Sequence, residues 1–217
     1  MSATHDLLIF GASGKLGLWL VRHARERGLS VAALLREERD ASALEALGVT
    51  ILRGDALLRA DCEQAVRRSA PRTVISLLGG KDAQGRRIDA TGNLNVIAAM
   101  QDLPDCRRLL LITSYGCGEQ FELLGAPAQA ALGEALAAKT QAEQVLQQSA
   151  LLWTIIRPAG LCDADGVSRY TLNPARQENA APYLPRHDVA LAICDQLREP
   201  AAIGKIITVF GPPRDGD

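Results

Sequence analysis

The sequence predicts a doubly wound α/β fold, a mainly parallel sheet with helices on both faces, forming a single domain over residues 1–217. Three observations predict it. Apolar strand-like runs alternate with helical patterns along the whole chain. The first run leads straight into Gly11, Gly14 and Gly17, and a helical pattern follows. A length of 217 residues suits one α/β domain better than two, and 47% hydrophobic residues suffice to bury a full core.

The elements follow in order. Leu-Leu-Ile-Phe at 7–10 reads as the first strand, and the helical pattern at 15–27 stops at Gly28. Val-Ala-Ala-Leu-Leu closes a strand at 30–35, a helix at 41–47 stops at Gly48, and a short strand takes 50–53. A helix at 60–69, a strand at 73–78, a helix at 86–101 and a strand at 108–113 continue the alternation. A helix at 133–149, a strand at 153–157, a helix at 186–198 ahead of Gly204 and a strand at 205–210 complete it. Residues 79–86 and 160–185 are the long irregular stretches. Segments leaving the carboxyl ends of strands build the ligand crevice of such sheets, so 160–185 is the expected substrate rim, with a solvated loop as the plain alternative.

Composition narrows the partners. With 24 basic against 25 acidic residues there is no electrostatic footprint for nucleic acid or an anionic membrane. No apolar run approaches the roughly 20 residues that span a bilayer. The opening residues show no basic region followed by an apolar one, so a cytoplasmic protein without a secretion signal is expected. Cys62, Cys106, Cys117, Cys162 and Cys194 are scattered and odd in number, which fits reduced thiols rather than a zinc site or disulfide framework. His5, His23 and His187 are too dispersed for a cluster, and no metal is expected. A small-molecule substrate is the expected partner, with monomer and homodimer both open.

The glycine triplet is how a chain holds a dinucleotide diphosphate. Gly11 turns the backbone sharply off the strand, Gly14 lets phosphate approach the main chain, with a positive φ as an added expectation, and Gly17 packs the helix on the sheet. Backbone N–H groups at the helix start then face the anion. The end of the second strand chooses between the nicotinamide cofactors. Arg36 directly abuts that strand, and a guanidinium pairs with a 2′-phosphate, so NADP(H) is expected over NAD(H), with Arg39 as a second contact. The alternatives are a cancelling surface charge run, or Glu37 serving a 2′-hydroxyl. Asp55, just past the third strand, suits an adenine contact or a local turn cap equally. Gly79 and Gly80 after the fourth strand would pass close to the second ribose, or form a plain turn.

These features together resemble the atypical short-chain dehydrogenase/reductase superfamily, and within it the small NAD(P)H-binding proteins of the NmrA-like and flavin (biliverdin) reductase B-like type. The resemblance is carried by Gly11-Ala-Ser-Gly14-Lys-Leu-Gly17, Leu34-Leu-Arg36, Gly54-Asp55, Ile112-Thr-Ser114, Lys139-Thr-Gln-Ala-Glu143, Trp153-Thr-Ile-Ile-Arg157-Pro158-Ala-Gly160 and Arg186-His-Asp188-Val-Ala190. It implies a Rossmann-like sheet that binds NADP(H), and reductase activity. With the glycine reading it places cofactor contacts at Gly11, Ser13, Gly14, Lys15, Leu16, Gly17, Arg36, Arg39, Asp55, Ala56, Leu78, Gly79, Gly80, Thr113, Lys139 and Pro158.

One departure matters. Family members carry a catalytic Tyr four residues before the helix Lys, and here that position is Ala135. Lys139 keeps the ribose role, against an exposed lysine paired with Glu143 as the alternative. Ser114 and Tyr115 after the fifth strand are the expected catalytic residues, one orienting substrate and the other donating a proton; the alternatives are a Ser bonded to its own backbone and a Tyr packed on the loop. Cys117 and Cys162 read as structural. His187 reads as a neighbour of a helix-capping Asp188 and a loop-binding Arg186. The expected function is an NADPH-dependent reductase of a small flavin, quinone or carbonyl acceptor, held by 79–83, 114–119 and 160–180. The alternative is a non-catalytic NADP(H)-binding redox sensor. A sugar-nucleotide epimerase is disfavoured, because little chain is left for a large substrate lobe.

Overall fold

Leu7 and Ile9 face one side of the first strand and Leu8 and Phe10 the other, and all four are buried. A two-residue period apolar on both phases marks a strand covered on both sides. The computed structural model describes residues 5–82, 84–101, 107–173 and 183–212. Ala83, Cys106 and residues 174–182 of the expected rim lie outside the described residues, as do the first four residues.

The strands are β1 (Leu7–Phe10), β2 (Val31–Leu35), β3 (Thr50–Arg53), β4 (Thr73–Ser76), β5 (Arg108–Ile112), β6 (Leu152–Pro158), β7 (Gly160–Cys162), β8 (Thr171–Leu172), β9 (Tyr183–Pro185) and β10 (Lys205–Phe210). The helices are α1 (Lys15–Glu26), α2 (Ser42–Glu45), α3 (Arg59–Ser69), α4 (Ile88–Gln101), α5 (Ala126–Gln147) and α6 (Arg186–Asp195). Eight strands form one sheet in the order β3-β2-β1-β4-β5-β6-β10-β8, parallel except for β8 against β10. This is a Rossmann-like, doubly wound sheet. Leu20 and Val21 of α1, Leu44 of α2 and Val189 and Ile193 of α6 fill the core on one face. Val66 of α3, Ile97 and Met100 of α4 and Leu146 of α5 fill the other. The sheet grows outward in opposite directions from β1, through β2 on one side and β4 on the other. The crevice of a doubly wound sheet opens at such a switch point.

Two segments differ from the sequence reading. The helix expected at 133–149 begins at Ala126, with Gly125 as N-cap and Pro127 in its first turn. Gly133 is an interior residue whose missing Cβ would meet Phe121 only at 3.7 Å, so it neither starts nor breaks the helix. The expected irregular rim at 160–185 contains β7, β8 and β9. β7 pairs with β9 in a separate two-stranded parallel sheet, and β8 closes the edge of the main sheet beyond β10. These strands are two or three residues long, too short for any period to show in the sequence.

A buried ion pair ties the layers together. Arg157 of β6 donates to Glu143 of α5 through Nη2 at 2.6 Å and Nε at 3.1 Å, and both side chains are 1% exposed. Glu143 also accepts the Thr113 hydroxyl at 2.5 Å, and Arg157 Nη1 reaches Glu119 at 2.6 Å in the 3-10 helix Gly118–Leu123. Burial opposes the guanidinium charge, but its hydrogen bonds to Glu143 and Glu119 outweigh it and raise the pKa of Arg157 further. Arg157→Met leaves the buried Glu143 charge without its cation and is expected to cost about 3–5 kcal/mol in urea unfolding. Adding Glu143→Leu removes the orphaned charge and is expected to recover much of that loss.

Candidate functional site

The crevice starts where β1 ends. Gly11 has φ 83°, and a Cβ there would lie 3.1 Å from the carbonyl of Leu77. The Gly14 N–H returns to the Gly11 carbonyl at 3.2 Å, which closes the turn. A Cβ on Gly17 would lie 2.5 Å from the carbonyl oxygens of both Gly11 and Ala12, so α1 packs on the loop only because this residue has no side chain. Gly14, expected at positive φ, has φ −75° and ψ 163°. The left-handed position is Gly11, where the chain leaves the strand and reverses; Gly14 is already the N-cap of α1. That N-cap has no side-chain hydrogen bond, and the first turn of α1 holds no acid. The arrangement suits a bound anion.

On the β2–β3 side a cavity of about 210 Å³ is lined by Ser13, Gly14, Arg36, Arg39, Asp55, Ala56, Leu78 and Gly79, with Gly11 and Leu34. Arg53 shapes its edge: Nη1 donates to the carbonyls of Arg36 and Arg39, each at 2.9 Å. Arg36 Nε lies 3.1 Å from Glu38 Oε1, whose side chain is exposed. Glu37, the alternative 2′-hydroxyl partner, is exposed and is not among the lining residues. Asp55 Oδ1 accepts the Leu57 N–H at 2.9 Å, so it closes the local turn while also facing the cavity.

On the β4–β5 side a larger cavity of about 620 Å³ is lined by Gly14, Lys15, Leu16, Gly17, Gly79, Gly80, Thr113, Ser114, Ala135, Lys139 and Pro158, with Arg87, Asp89, Leu161 and Arg186. The two cavities share Gly11, Gly14, Leu77 and Gly79, so they form one groove across the sheet edge. Lys139 is not the exposed partner of Glu143. Its Nζ lies 2.9 Å from Oδ1 of Asp89, a residue 1% exposed, while Glu143 is taken by Arg157 and Thr113. Asp89 Oδ2 accepts the Gly80 N–H at 3.0 Å and Arg87 Nη1 at 3.1 Å. A Cβ on Gly79 would lie 2.9 Å from both Asp89 Oδ1 and Lys139 Nζ.

Ser114 lines this cavity and donates to the Tyr115 carbonyl at 3.1 Å. Tyr115, expected as proton donor, is not among the lining residues. Its ring meets Phe210 edge-on at 5.1 Å, and burial raises its phenol pKa. Successive residues leaving a strand point to opposite sides, and Ser114 holds the cavity side. Cys117 is buried, and burial pushes its thiol up to about 11. His187 lies outside the cavity lining, with Nδ1 at 2.7 Å from Asp188. Asp188 does not cap α6; it accepts the N–H groups of Val167 and Ser168 and anchors that loop. Arg186 does bond a loop, through Asp163.

Sequence reasoning missed Asp89 and Arg87. An acid in the first turn of a helix is ordinarily read as a partner for the helix dipole, and nothing local marks Asp89 as the partner of a lysine 50 positions later. Among the described residues no cluster of His, Cys, Asp or Glu could hold a metal ion, and no helix is long and apolar enough to cross a membrane.

A glycine turn at a switch point, an uncapped helix start and a groove continuing past Lys139 define a dinucleotide-binding α/β protein. The chain belongs to the NAD(P)H-binding family, whose model matches residues 11–200. It is similar to ChuY, described as an anaerobilin reductase, from Escherichia coli O157:H7: 30% identity over 97% of this chain and 99% of that one, with a TM-score of 0.84. ChuY of E. coli strain CFT073 gives 27% identity over 97% and 98%, with a TM-score of 0.80. A short-chain dehydrogenase/reductase of Veillonella parvula, solved in complex with NADP, shares the fold at 20% identity over 95% and 94%, with a TM-score of 0.72. No curated protein matches the sequence.

The two later glycines separate binding from folding. A Cβ on Gly14 meets no protein atom closer than 3.4 Å. Gly14→Val is therefore expected to keep the circular dichroism of the wild type and to lose NADPH binding in a fluorescence titration. Gly17→Ala forces α1 off the loop, and is expected to lower stability by about 1–3 kcal/mol as well as weakening NADPH.

Proposed function

We propose that the protein is an NADPH-dependent reductase of a small conjugated organic acceptor, of the kind the name of ChuY specifies or a flavin, quinone or carbonyl compound. The observation that carries this reading is the larger cavity, which the glycine turn, Lys139 and Ser114 line together. The dinucleotide fits the residues present: a Cβ on Gly14 would meet only the Gly11 carbonyl, at 3.4 Å, so the groove stays open there, and the first turn of α1 offers its N–H groups. When bound, its nicotinamide supplies the hydride. Lys139, held by Asp89, faces the ribose hydroxyls, and Ser114 orients the acceptor. Ala135 stands one turn before Lys139 on the same wall, so no phenol is presented from that position. The proton therefore comes from water, which suits acceptors that need little acid assistance. Arg36 and Arg39 at the far end of the groove favour the 2′-phosphate of NADP(H). A cytoplasmic location belongs to this reading, and the four described cysteines are free thiols.

NADPH oxidation with anaerobilin, flavins, quinones and aldehydes tests the function directly. Tight NADPH binding with no turnover across that panel would favour the redox-sensor reading, for which Ala135 is the supporting observation. Cofactor choice is expected to follow Arg36. Two charge-assisted hydrogen bonds are worth about 1.5–3 kcal/mol, so NADPH should bind roughly 10- to 150-fold tighter than NADH. Arg36→Ala should erase most of that preference while leaving NADH affinity nearly unchanged; equal wild-type affinities would remove Arg36 from this role. Ser114→Ala is expected to lower kcat by less than the roughly 10²-fold typical of a lost proton donor, with NADPH affinity within a few-fold of normal. Lys139→Ala should do the reverse and weaken NADPH first.

A further inference from the structure

The charges lining the larger cavity do not balance. Lys15, Arg87, Lys139 and Arg186 face it, and Asp89 is the one acid among its lining residues. Asp89 is buried and answers Lys139. Lys15 stands at the glycine turn, beside the place for the cofactor diphosphate. Arg87 also meets Asp89, through Nη1 at 3.1 Å, and Arg186 shares an exposed acid, Asp163, with Lys15. Both arginines line the same cavity as Ser114 and Leu161.

Besides Asp89 on Arg87, the acids that meet these two arginines are exposed. Asp163 bridges Arg186 and Lys15, the latter at 2.6 Å, and its side chain is 57% exposed. Glu134 lies 3.1 Å from Arg87 Nε and 3.3 Å from Lys81 Nζ, and is 66% exposed. The arginine side chains are only 22% and 21% exposed. Arg87 Nε is buried and makes no hydrogen bond among the described residues, with Glu134 Oε1 3.1 Å away, while Nη2 donates to Glu134 Oε2 at 3.3 Å. The cations are thus set into the wall, whereas Asp163 and Glu134 are surface carboxylates. Ion pairs with exposed members add little stability, so a ligand carboxylate can displace them. A guanidinium offers two parallel N–H groups to such a ligand.

We propose that the acceptor bears a carboxylate, that Arg186 receives it with Arg87 as a second seat, and that Asp163 and Glu134 fill those seats when the acceptor is absent. The inference rests on the acceptor reading of this cavity. The ligand group is a carboxylate because carboxylates of the chain already occupy both positions.

A matched pair of probes tests it: anthraquinone-2-carboxylate and its uncharged primary amide, titrated calorimetrically into the full-length protein saturated with NADP+. The acid is expected to bind about 10-fold tighter than the amide, the effect of one charge-assisted contact. Arg186→Gln should erase that difference without changing amide affinity, and Arg87→Gln should reduce it. Asp163→Asn carries the sharpest expectation. It removes the intramolecular competitor, and should tighten acid binding severalfold while leaving the amide alone. Equal affinity of acid and amide, binding of neither, or weaker acid binding by Asp163→Asn would overturn the proposal. NADPH oxidation by the same two quinones is read separately. If the acid binds in an Arg186-dependent way and neither quinone is reduced, the reductase reading is at fault and the carboxylate seat stands.

Discussion

The contact on which the site depends is the buried pair of Glu143 and Arg157. Glu143 lies one helical turn beyond Lys139 on α5, and its carboxylate reaches Arg157 on β6 and Thr113 at the end of β5. One carboxylate therefore fixes the rotation of α5 against the two strands whose ends form the wall of the groove. Removing two charges from water is expensive, and such a pair persists only when nearly every donor and acceptor is used. Here Glu143 accepts from Arg157 Nε, Arg157 Nη2 and Thr113 Oγ1, while Glu119 takes up Arg157 Nη1. Gly118 belongs to the same arrangement, since a Cβ there would stand 2.9 Å from Arg157 Nη2.

With α5 set in this way, Lys139 is delivered to Asp89 and the two sides of the groove are joined. Asp89 comes from the start of α4, and it also holds the Gly80 N–H. The turn after β4, the first turn of α4 and the middle of α5 thus meet at one buried carboxylate. Ala135 stands one turn before Lys139 in the same cavity lining, and the lysine is held by Asp89.

The groove also sorts its acids by depth. Asp89 and Glu143 are buried and structural, each saturated by cations or hydroxyls of the fold. Asp163, Glu134 and Glu38 are exposed and meet cations that face the ligand space. An exposed carboxylate beside a recessed arginine keeps that arginine compensated without holding it firmly. A deep carboxylate in low dielectric does hold its partner.

The sequence by itself determined the sheet, its helices and many of the residues that line the groove. Leu7–Phe10, Val31–Leu35 and Lys205–Phe210 are apolar runs, and the glycines at 11, 14 and 17 carry their reason locally, in a turn and a close approach. Every residue assigned to the cofactor lines one of the two cavities, because the switch point brings strand ends together in a fixed order. Only the tertiary structure decided what Lys139 pairs with, that Tyr115 turns to Phe210, that Asp188 holds residues 167–168 and that the rim contains strands. The physical reason is range. Periodicity, capping and turn chemistry act within a few residues, whereas Asp89 with Lys139, Thr113 with Glu143 and Lys15 with Asp163 are contacts between distant segments, chosen only when the layers pack.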